Sequence, residues 1–226
     1  MAKTSGKKTG LFGGTFNPVH TGHLQAAREI LGRFALERIL FIPSNIPPHK
    51  SLRDIASAAD RMEMVRLACG ADPRFVASDI EVAAGETSYS IVTLEKLRRI
   101  YPDTEFFFLL GADAFRDIRT WREHDRVMEV CRFIVMTRPG TDLSAAENVL
   151  QGKWREWTRR LAPEECPEDA DLTGFRIFLT PIRALDISAT EIRRCIRKGG
   201  DVRDRLPGPV AAYIQSRGLY RESGNA

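Results

Sequence analysis

The chain has 226 residues, of which 43% are hydrophobic and 28% are charged, and it carries a formal net charge of +4. These values are ordinary for a soluble globular protein, and the length suits one α/β domain, or one domain with an insertion, rather than two full domains. The longest uninterrupted apolar run, 106–110, is far too short to cross a bilayer, which argues against a membrane protein.

The N-terminal segment is basic and has no long apolar stretch. Residues 1–8 read MAKTSGKK, and we predict a flexible basic tail rather than a secretory signal. The four cysteines are widely scattered and form no Cys-x-x-Cys pair, which argues against a zinc ribbon and against a dithiol redox motif. We therefore expect a cytoplasmic protein.

Apolar runs alternate with amphipathic segments along most of the chain, a pattern typical of β–α units that build a parallel sheet. In chain order, the predicted strands cover 9–12, 38–43, 75–78, 105–110, 131–137 and 176–180. The predicted helices cover 22–35, 60–69, 90–100, 121–129, 189–197 and 209–217. Because several predicted strands are apolar throughout, as in EFFFLL at 105–110, we expect helices on both faces of the sheet.

Residues 141–174 interrupt this alternation with two prolines, an acidic cluster, and Trp154 and Trp157 three positions apart. We interpret them as a surface insertion that is helical in part, over 145–160. Charge is unevenly distributed nearby, since 192–226 contain eight Arg or Lys and only three Asp or Glu. This basic region could meet phosphates, or it could be an ordinary solvated surface.

The first predicted strand is followed by GGTFNPVHTGH, residues 13–23, which suits neither a helix interior nor a strand. It would form the turn at the carboxyl edge of the sheet, where open α/β sheets bind ligands. Glycines let backbone amides approach an anion closely, and the positive end of the next helix points to the same place. His20 and His23 could direct two imidazole donors there. The stretch therefore predicts a phosphate-binding turn.

Other interpretations of this turn remain open on these residues alone. Many β–α turns use glycine only for tightness, and two histidines could be metal ligands, although no third ligand accompanies them. The familiar nucleotide motifs GxxxxGK[ST] and GxGxxG are both absent from the chain. A nucleotide site therefore needs more specific support.

Two motifs supply that support. GGTFNPVHTGHL closely resembles the HxGH signature of the nucleotidylyltransferase superfamily, in the form found in bacterial nicotinate mononucleotide adenylyltransferases. About 165 residues later, ISATEIR resembles the ISxTxxR signature of the same superfamily. Shorter stretches resemble this family too, namely IPSNIPPHK (42–50), TSYSIVTL (87–94), LGADAF with the tryptophan after it, RPG (138–140) and LPGPVAAYIQSRGLY.

The resemblance covers nearly the whole chain except the tail and 141–174. It implies a single domain, 1–226, with a Rossmann-like doubly wound parallel sheet of nucleotidylyltransferase type, whose helical C-terminal part, 187–226, completes an ATP site. It also implies a reaction of NAD biosynthesis, in which the adenylyl group of ATP is transferred to nicotinate mononucleotide to give nicotinate adenine dinucleotide and pyrophosphate. Mg²⁺ should accompany ATP, held mainly by phosphate oxygens and water.

The resemblance also implies roles for individual residues. The catalytic residues would be His20, His23 and Arg193. The rest of the ATP site would consist of Gly13, Gly14, Thr15, Phe16, Ser188 and Thr190. The mononucleotide site would consist of Asn45, Lys50, Ser90, Asp113, Trp121 and Arg138.

Several of these residues have plainer interpretations when taken alone. Ser188 could simply cap a helix, Trp121 could be a core residue, and Lys50 and Arg138 could be solvated surface charges. The sequence also departs from the family at two positions, since Asn17 stands where many relatives have Asp and Ser90 stands where Thr is usual. Neither departure loses hydrogen-bonding capacity, but the first removes a negative charge beside the phosphate-binding turn.

Other functions stay open. A related adenylyltransferase that acts on nicotinamide mononucleotide, pantetheine phosphate or another phosphorylated acceptor would use the same two motifs. A class I aminoacyl-tRNA synthetase also has an HxGH turn, but it needs a lysine-rich KMSKS-like loop that this chain lacks. A nucleotide sensor or a nucleic-acid-binding protein would suit the basic C-terminal region but would not need the histidines. We expect ATP and nicotinate mononucleotide as binding partners, and we expect no binding to nucleic acid or to a membrane. The sequence does not determine the oligomeric state, and a homo-oligomer is possible.

Overall fold

A computed structural model describes residues 7–47, 55–137, 144–167, 169–183 and 187–221. These residues form one seven-stranded sheet in the order β3-β2-β1-β4-β5-β7-β6, and every pair of neighbouring strands is parallel. The strands are β1 Lys7–Gly14, β2 Arg38–Pro43, β3 Phe75–Ala77, β4 Thr104–Gly111, β5 Arg132–Thr137, β6 Thr158–Arg160 and β7 Ile177–Pro181.

Helices connect most of these strands. They are α1 Thr21–Arg33, α2 Ala58–Cys69, α3 Ser90–Ile100, α4 Ala112–Arg116, α5 His124–Val130, α6 Ser144–Glu147, α7 Lys153–Glu156, α8 Asp169–Gly174, α9 Ala189–Arg197 and α10 Gly208–Ser216. A 3₁₀ turn, Ile118–Thr120, lies between α4 and α5. Among the helices of the described ranges, none has the length and apolar character needed to cross a membrane.

Both faces of the sheet are buried. Successive side chains of each central strand point to opposite faces, and each face packs into a core of its own. In β4, Phe107 and Leu109 join a core that includes apolar residues of α1, α2, α9 and α10. Phe106, Phe108 and Leu110 of the same strand join a second core with residues of α3, α4 and α5. The predicted doubly wound parallel sheet with helices on both faces is therefore confirmed.

The order of the strands reverses between β1 and β4. From β1 the chain proceeds to β2 and β3 on one side, and it returns to β4 on the other side. The connections that leave β1 and β4 therefore diverge, which opens a crevice at the carboxyl ends of these two strands. The turn at 13–23 follows β1 and so lies at this crevice.

The structure corrects the helix predicted over 145–160, within the segment 141–174 that we interpret as a surface insertion. Within this segment β6 pairs in parallel with β7 and forms the edge of the sheet, so the predicted helix over 145–160 is wrong at 158–160. The side chain of Trp154 is only 8% exposed and belongs to the second core. The strand was missed because its sequence, Thr-Arg-Arg, is polar and has no apolar run.

Arg33, at the end of α1, fastens this segment to the rest of the fold. Its guanidinium donates hydrogen bonds to three backbone carbonyl oxygens, at 2.8 Å to Pro181, 3.0 Å to Glu165 and 3.3 Å to Ala162. Its Nη1 also lies 3.3 Å from Glu29 Oε1 on the preceding turn of the helix. Arg33 is only 8% exposed, so one buried side chain joins α1 to the end of β7 and to the chain after β6.

Two further predictions need correction. Residues 7 and 8 of the predicted basic tail belong to β1, where they pair with the first residues of β4. The helix predicted over 121–129 begins only at His124, because Glu123 before it has a left-handed backbone with φ of 52°. The other helix and strand predictions agree with the structure to within a few residues.

A glycine of β1 makes the close packing of the sheet testable. A Cβ atom on Gly10 would lie 2.9 Å from Ile39 Cγ1 and 3.2 Å from Leu109 Cδ1. We expect Gly10→Ala to lower the free energy of unfolding by about 1–3 kcal/mol, since overpacking forces core side chains to move. The measurement is urea-induced unfolding followed by circular dichroism.

The matched control is Gly32→Ala on the exposed side of α1. A Cβ atom there would meet nothing within 4 Å, and alanine favours helix over glycine by about 1 kcal/mol. Gly32→Ala should therefore be as stable as the parent protein or more stable. Equal stability of Gly10→Ala and the parent would contradict the packing argument.

Candidate active site

The turn after β1 has an unusual backbone that its own side chains hold in place. Phe16 has φ of 47°, a left-handed conformation that is uncommon for a large side chain. Its ring is 3% exposed and packs against Phe12, Phe41 and His23, with ring centroids 5.8, 5.9 and 5.1 Å away. Burial of this ring therefore stabilises a turn that would otherwise be strained. The peptide bond between Asn17 and Pro18 is cis.

His20 and His23 stand together where this turn becomes α1. His20 is the N-cap residue, and its ring centroid lies 3.7 Å from that of His23. The backbone N–H of His20 donates a hydrogen bond to His23 Nδ1 at 3.2 Å. Because Nδ1 accepts this bond, the neutral His23 ring carries its proton on Nε2. His23 can therefore donate a hydrogen bond from Nε2.

Arg193 of α9 reaches the same turn from the far end of the chain. Its Nη1 donates a hydrogen bond to the carbonyl oxygen of Asn17 at 2.8 Å, across 176 positions of sequence. Its Nη2 lies 3.4 Å from Thr190 Oγ1, and its Nε is buried and makes no hydrogen bond to any described residue. The two sequence motifs thus meet in space.

A cleft of about 540 Å³ opens between the two motifs and is called the first cleft below. Its walls contain 12–17, His20, His23, 187–190 and Arg193, and none of its described lining residues is acidic. Ser188 is the N-cap residue of α9, but its side chain makes no capping hydrogen bond. Backbone amides, imidazoles, hydroxyls and one guanidinium therefore surround a space whose size suits a small ligand, and together these groups favour an anion.

A second cleft of about 450 Å³ lies on the other side of the turn and shares Gly13, Gly14 and Thr15 with the first. We call these three residues the shared wall. Three aromatic side chains are among the residues that line the second cleft: Tyr89, Phe108 and Trp121. Trp121 packs edge-on against Phe108, with ring centroids 5.7 Å apart. A flat apolar ligand next to the shared wall would fit these surroundings.

Polar groups are also available in the second cleft. Ser90, the first residue of α3, is in its lining, and so is Ser44, whose Oγ is buried and makes no hydrogen bond to any described residue. The guanidinium of Arg122 lies 5.0 Å from the centroid of the Tyr89 ring, and both residues line the cleft. The second cleft therefore combines aromatic surface with hydrogen-bonding groups and a cation.

The predicted site residues divide into three groups. All nine residues predicted for catalysis and for ATP line the first cleft, and Ser90 and Trp121 line the second. Asn45 and Asp113 are next in sequence to residues that line the second cleft but do not line it themselves. Asn45 Nδ2 donates a hydrogen bond to the carbonyl of Glu86 at 3.0 Å. Asp113 is exposed in the first turn of α4. Lys50 and Arg138 lie outside the described residues.

Sequence reasoning missed the parts that Tyr220 and Arg61 play in shaping the site. Asn17 Oδ1 accepts hydrogen bonds from the N–H of Ala56 at 3.0 Å and from the hydroxyl of Tyr220 at 2.8 Å. Burial raises the pKa of the Tyr220 hydroxyl, so it remains a donor. Arg61 of α2, whose contacts are described below, is 1% exposed. Arg61 lies four and seven positions before Val65 and Ala68, on the buried face of α2, and this spacing was the only signal in the sequence that its side chain is buried.

Glu81 is a further residue that the sequence did not indicate. It lines the second cleft, and its Oε1 accepts a hydrogen bond from Thr93 Oγ1 at 2.7 Å. Ser88 also hydrogen-bonds to this carboxylate, and Ser88 Oγ accepts the backbone N–H of Asn45 at 2.8 Å. Glu81 therefore supports the chain after β2 through one intervening hydroxyl group.

The described residues contain no group of three or more His, Cys, Asp or Glu placed to hold a metal ion.

Burial raises the pKa of Glu81, although hydrogen bonds from Thr93 and Ser88 and the charge of Lys96 act in the opposite direction. Its contribution to stability is thus complete below the ordinary glutamate pKa, about 4.3, and is lost as the pH rises through the higher pKa of the folded state. We expect Glu81→Gln to stabilise the protein relative to the parent at pH 7 and to lose this advantage near pH 4. Urea-induced unfolding at several pH values measures the difference.

Glu37→Gln serves as the control, because Glu37 is exposed and lies before β2. The difference in free energy of unfolding between Glu37→Gln and the parent should be similar at pH 4 and pH 7. A Glu81→Gln difference of the same size at pH 4 and pH 7 would show that the buried charge does not matter.

Comparisons with known proteins agree with this geometry. The sequence model of the cytidylyltransferase-like family matches residues 11–195. A relative from Citrifermentans bemidjiense is 39% identical over 218 residues, which cover 94% of this chain and 98% of the relative. Another from Desulfatibacillum aliphaticivorans is 40% identical over 217 residues, which cover 94% and 99%. Both are described as probable nicotinate-nucleotide adenylyltransferases.

A solved structure also matches over nearly the whole chain. The nicotinic acid mononucleotide adenylyltransferase of Plasmodium falciparum, complexed with NaAD, aligns with a TM-score of 0.69 at 19% identity, covering 95% of this chain and 97% of that one. At this identity the likeness establishes the shared fold, while the sequence relatives establish the family. The chain therefore belongs to the nicotinate-nucleotide adenylyltransferases, a family of nucleotidyltransferases with the cytidylyltransferase-like fold.

Proposed function

We propose that this enzyme transfers the adenylyl group of ATP to nicotinate mononucleotide, giving nicotinate adenine dinucleotide and pyrophosphate. The observation that carries the proposal is the meeting of two clefts at Gly13, Gly14 and Thr15. A reaction between two phosphates needs two binding sites that touch where the phosphates react. The names of the relatives support the choice of acceptor.

In this proposal the first cleft binds the triphosphate of ATP. His23 donates from Nε2 to a phosphate oxygen, His20 lies beside it, and the amides of 13–16 complete the turn around the anion. Arg193 binds the departing pyrophosphate with the donors that Asn17 and Thr190 leave available. The N-terminus of α9, with the hydroxyls of Ser188 and Thr190, faces the same charge.

The second cleft binds the mononucleotide. Trp121 offers a flat face to the pyridine ring, a contact worth about 1–3 kcal/mol by analogy with stacking of nucleic-acid bases. Ser90 and Ser44 offer hydroxyl groups in the same cleft. Asn45, Asp113, Lys50 and Arg138 are kept as proposed contributors on the family resemblance, with the ribose hydroxyls the natural partners of Asp113.

The chemistry is a displacement at phosphorus. An oxygen of the mononucleotide phosphate forms a bond to the α-phosphorus of ATP, the bond from that phosphorus to the bridging oxygen breaks, and pyrophosphate leaves with the electron pair. The attacking oxygen is already ionised near neutral pH, so no general base is required. Alignment of the two anions and stabilisation of the developing charge are what the protein supplies. Mg²⁺ enters with ATP as part of the substrate.

Product analysis tests this proposal directly. The enzyme is mixed with ATP, Mg²⁺ and one of several phosphorylated acceptors, and the dinucleotide and pyrophosphate formed are quantified. We expect kcat/KM for nicotinate mononucleotide to exceed that for nicotinamide mononucleotide at least about tenfold, which corresponds to about 1.4 kcal/mol. Equal values for the two acceptors, or turnover only with an acceptor of another kind, would refute the assignment.

Substitution of His23 tests its proposed contact with ATP. We expect His23→Ala and His23→Asn each to lower kcat by about 100-fold or more, because a donor to the transition state is lost. His23→Asn keeps a short polar group near the N–H of His20, so it separates the loss of Nε2 from the loss of the helix cap. Steady-state kinetics and thermal melting are measured on both variants.

His124→Ala is the matched control, since His124 begins α5 and lines neither cleft. It should retain the kcat of the parent protein. If His23→Asn turned over ATP as fast as the parent, the role given to Nε2 would be wrong.

A further inference from the structure

Arg61 is a buried cation whose hydrogen-bond partners are all backbone carbonyl oxygens. It lies in the first turn of α2 and is 1% exposed. Its Nε donates to the carbonyl of Ala56 at 3.0 Å, its Nη1 to those of Thr15 at 2.9 Å and Ser44 at 2.6 Å, and its Nη2 to that of Asn45 at 2.8 Å. Four carbonyls from three separate chain segments thus converge on one guanidinium.

These carbonyls belong to the segments that border both clefts. Thr15 is part of the shared wall, and Ser44, just after β2, lines the second cleft. Ala56 returns a hydrogen bond to Asn17 Oδ1 at 3.0 Å, so its segment is tied to the turn that also receives Arg193. Arg61 therefore fixes the phosphate-binding turn after β1 relative to the turn after β2.

The chemistry of this contact suits arginine and not lysine. A planar guanidinium presents donors in several fixed directions, whereas a lysine ammonium is a single point at the end of a flexible chain. Burial lowers the pKa of Arg61, yet arginine stays protonated in proteins. The group therefore holds four acceptors at once and keeps a positive charge beneath the shared wall.

We propose that Arg61 is a positioning residue for adenylyl transfer, which sets the distance between the turn that holds ATP and the turn that borders the mononucleotide. This inference rests on the proposed function. Each cleft keeps its own binding groups without Arg61, but the two bound phosphates lose their mutual alignment. Misplacement by about 1 Å can lower a rate about 100-fold, so kcat falls more than either substrate affinity.

The experiment compares Arg61→Lys with Arg33→Lys. Arg33 is a matched control because, like Arg61, it is buried and donates hydrogen bonds to backbone carbonyls, in its case three. None of these carbonyls belongs to a residue that lines either cleft. For each variant, kcat, both KM values, the dissociation constant of each substrate measured separately, and the melting temperature are determined. We expect similar losses of melting temperature in the two variants. Only Arg61→Lys should lose kcat, by about tenfold to 100-fold, with both dissociation constants nearly unchanged.

Three results would overturn the inference. One is a kcat of Arg61→Lys equal to that of the parent despite a lower melting temperature. This result would show that Arg61 stabilises the fold without aligning the substrates. Another is an equal loss of kcat in Arg33→Lys. The third is weaker binding of a single substrate with kcat retained, which would make Arg61 part of one binding site. If Arg61→Lys does not fold, Arg61→Gln is measured well below its melting temperature against the same criteria.

Failure of the proposed function is recognised separately. The parent enzyme is assayed first, and an absence of product with nicotinate mononucleotide counts against the proposed function alone. The ratio of kcat between the Arg61 variant and the parent is then measured with whichever acceptor the parent uses.

Discussion

The site depends on one contact between the two ends of the chain, the hydrogen bond from Arg193 to the carbonyl of Asn17. It joins the two segments that form opposite walls of the first cleft. Two further contacts reinforce the attachment: the N–H and hydroxyl of Thr21, at the start of α1, both donate to the carbonyl of Arg205 at 3.0 Å, and Tyr220 donates to Asn17 Oδ1. The C-terminal part thus supplies a residue that lines the first cleft and also satisfies groups of the turn.

The two clefts differ in the charged residues that line them. The first cleft has an arginine and no acidic residue among its described lining, so it favours the more highly charged substrate, the triphosphate. The second cleft contains both Arg122 and Glu81, and its lining includes the aromatic rings of Tyr89, Phe108 and Trp121. Such a surface suits a nucleotide that carries one phosphate and a flat ring. Arg61 lies beneath the wall between them, and under the proposed function its positive charge would offset part of the repulsion between the two bound anions.

The sequence predicted the fold class, and it identified residues that the structure brings together in the first cleft, because both have local signals. Strands such as β4 are continuous apolar runs, and each motif is a short segment with a distinctive composition. The strand β6 and the roles of Arg61 and Glu81 were missed for a common reason. β6 is held by pairing with β7, Arg61 bonds to carbonyls that every residue possesses, and Glu81 acts through Ser88. Contacts of these kinds leave almost no trace in residue type.

Asn17 shows how a departure from the family pattern can be consistent with the site. Its Oδ1 accepts two hydrogen bonds, from the N–H of Ala56 and the hydroxyl of Tyr220, and a carboxylate could accept the same two. The amide therefore keeps the attachment of both segments to the turn. It differs from aspartate in adding no negative charge beside the first cleft, where such a charge would repel a triphosphate. The substitution therefore keeps the two hydrogen bonds that Oδ1 accepts and changes the electrostatic potential in the cleft that we propose for ATP.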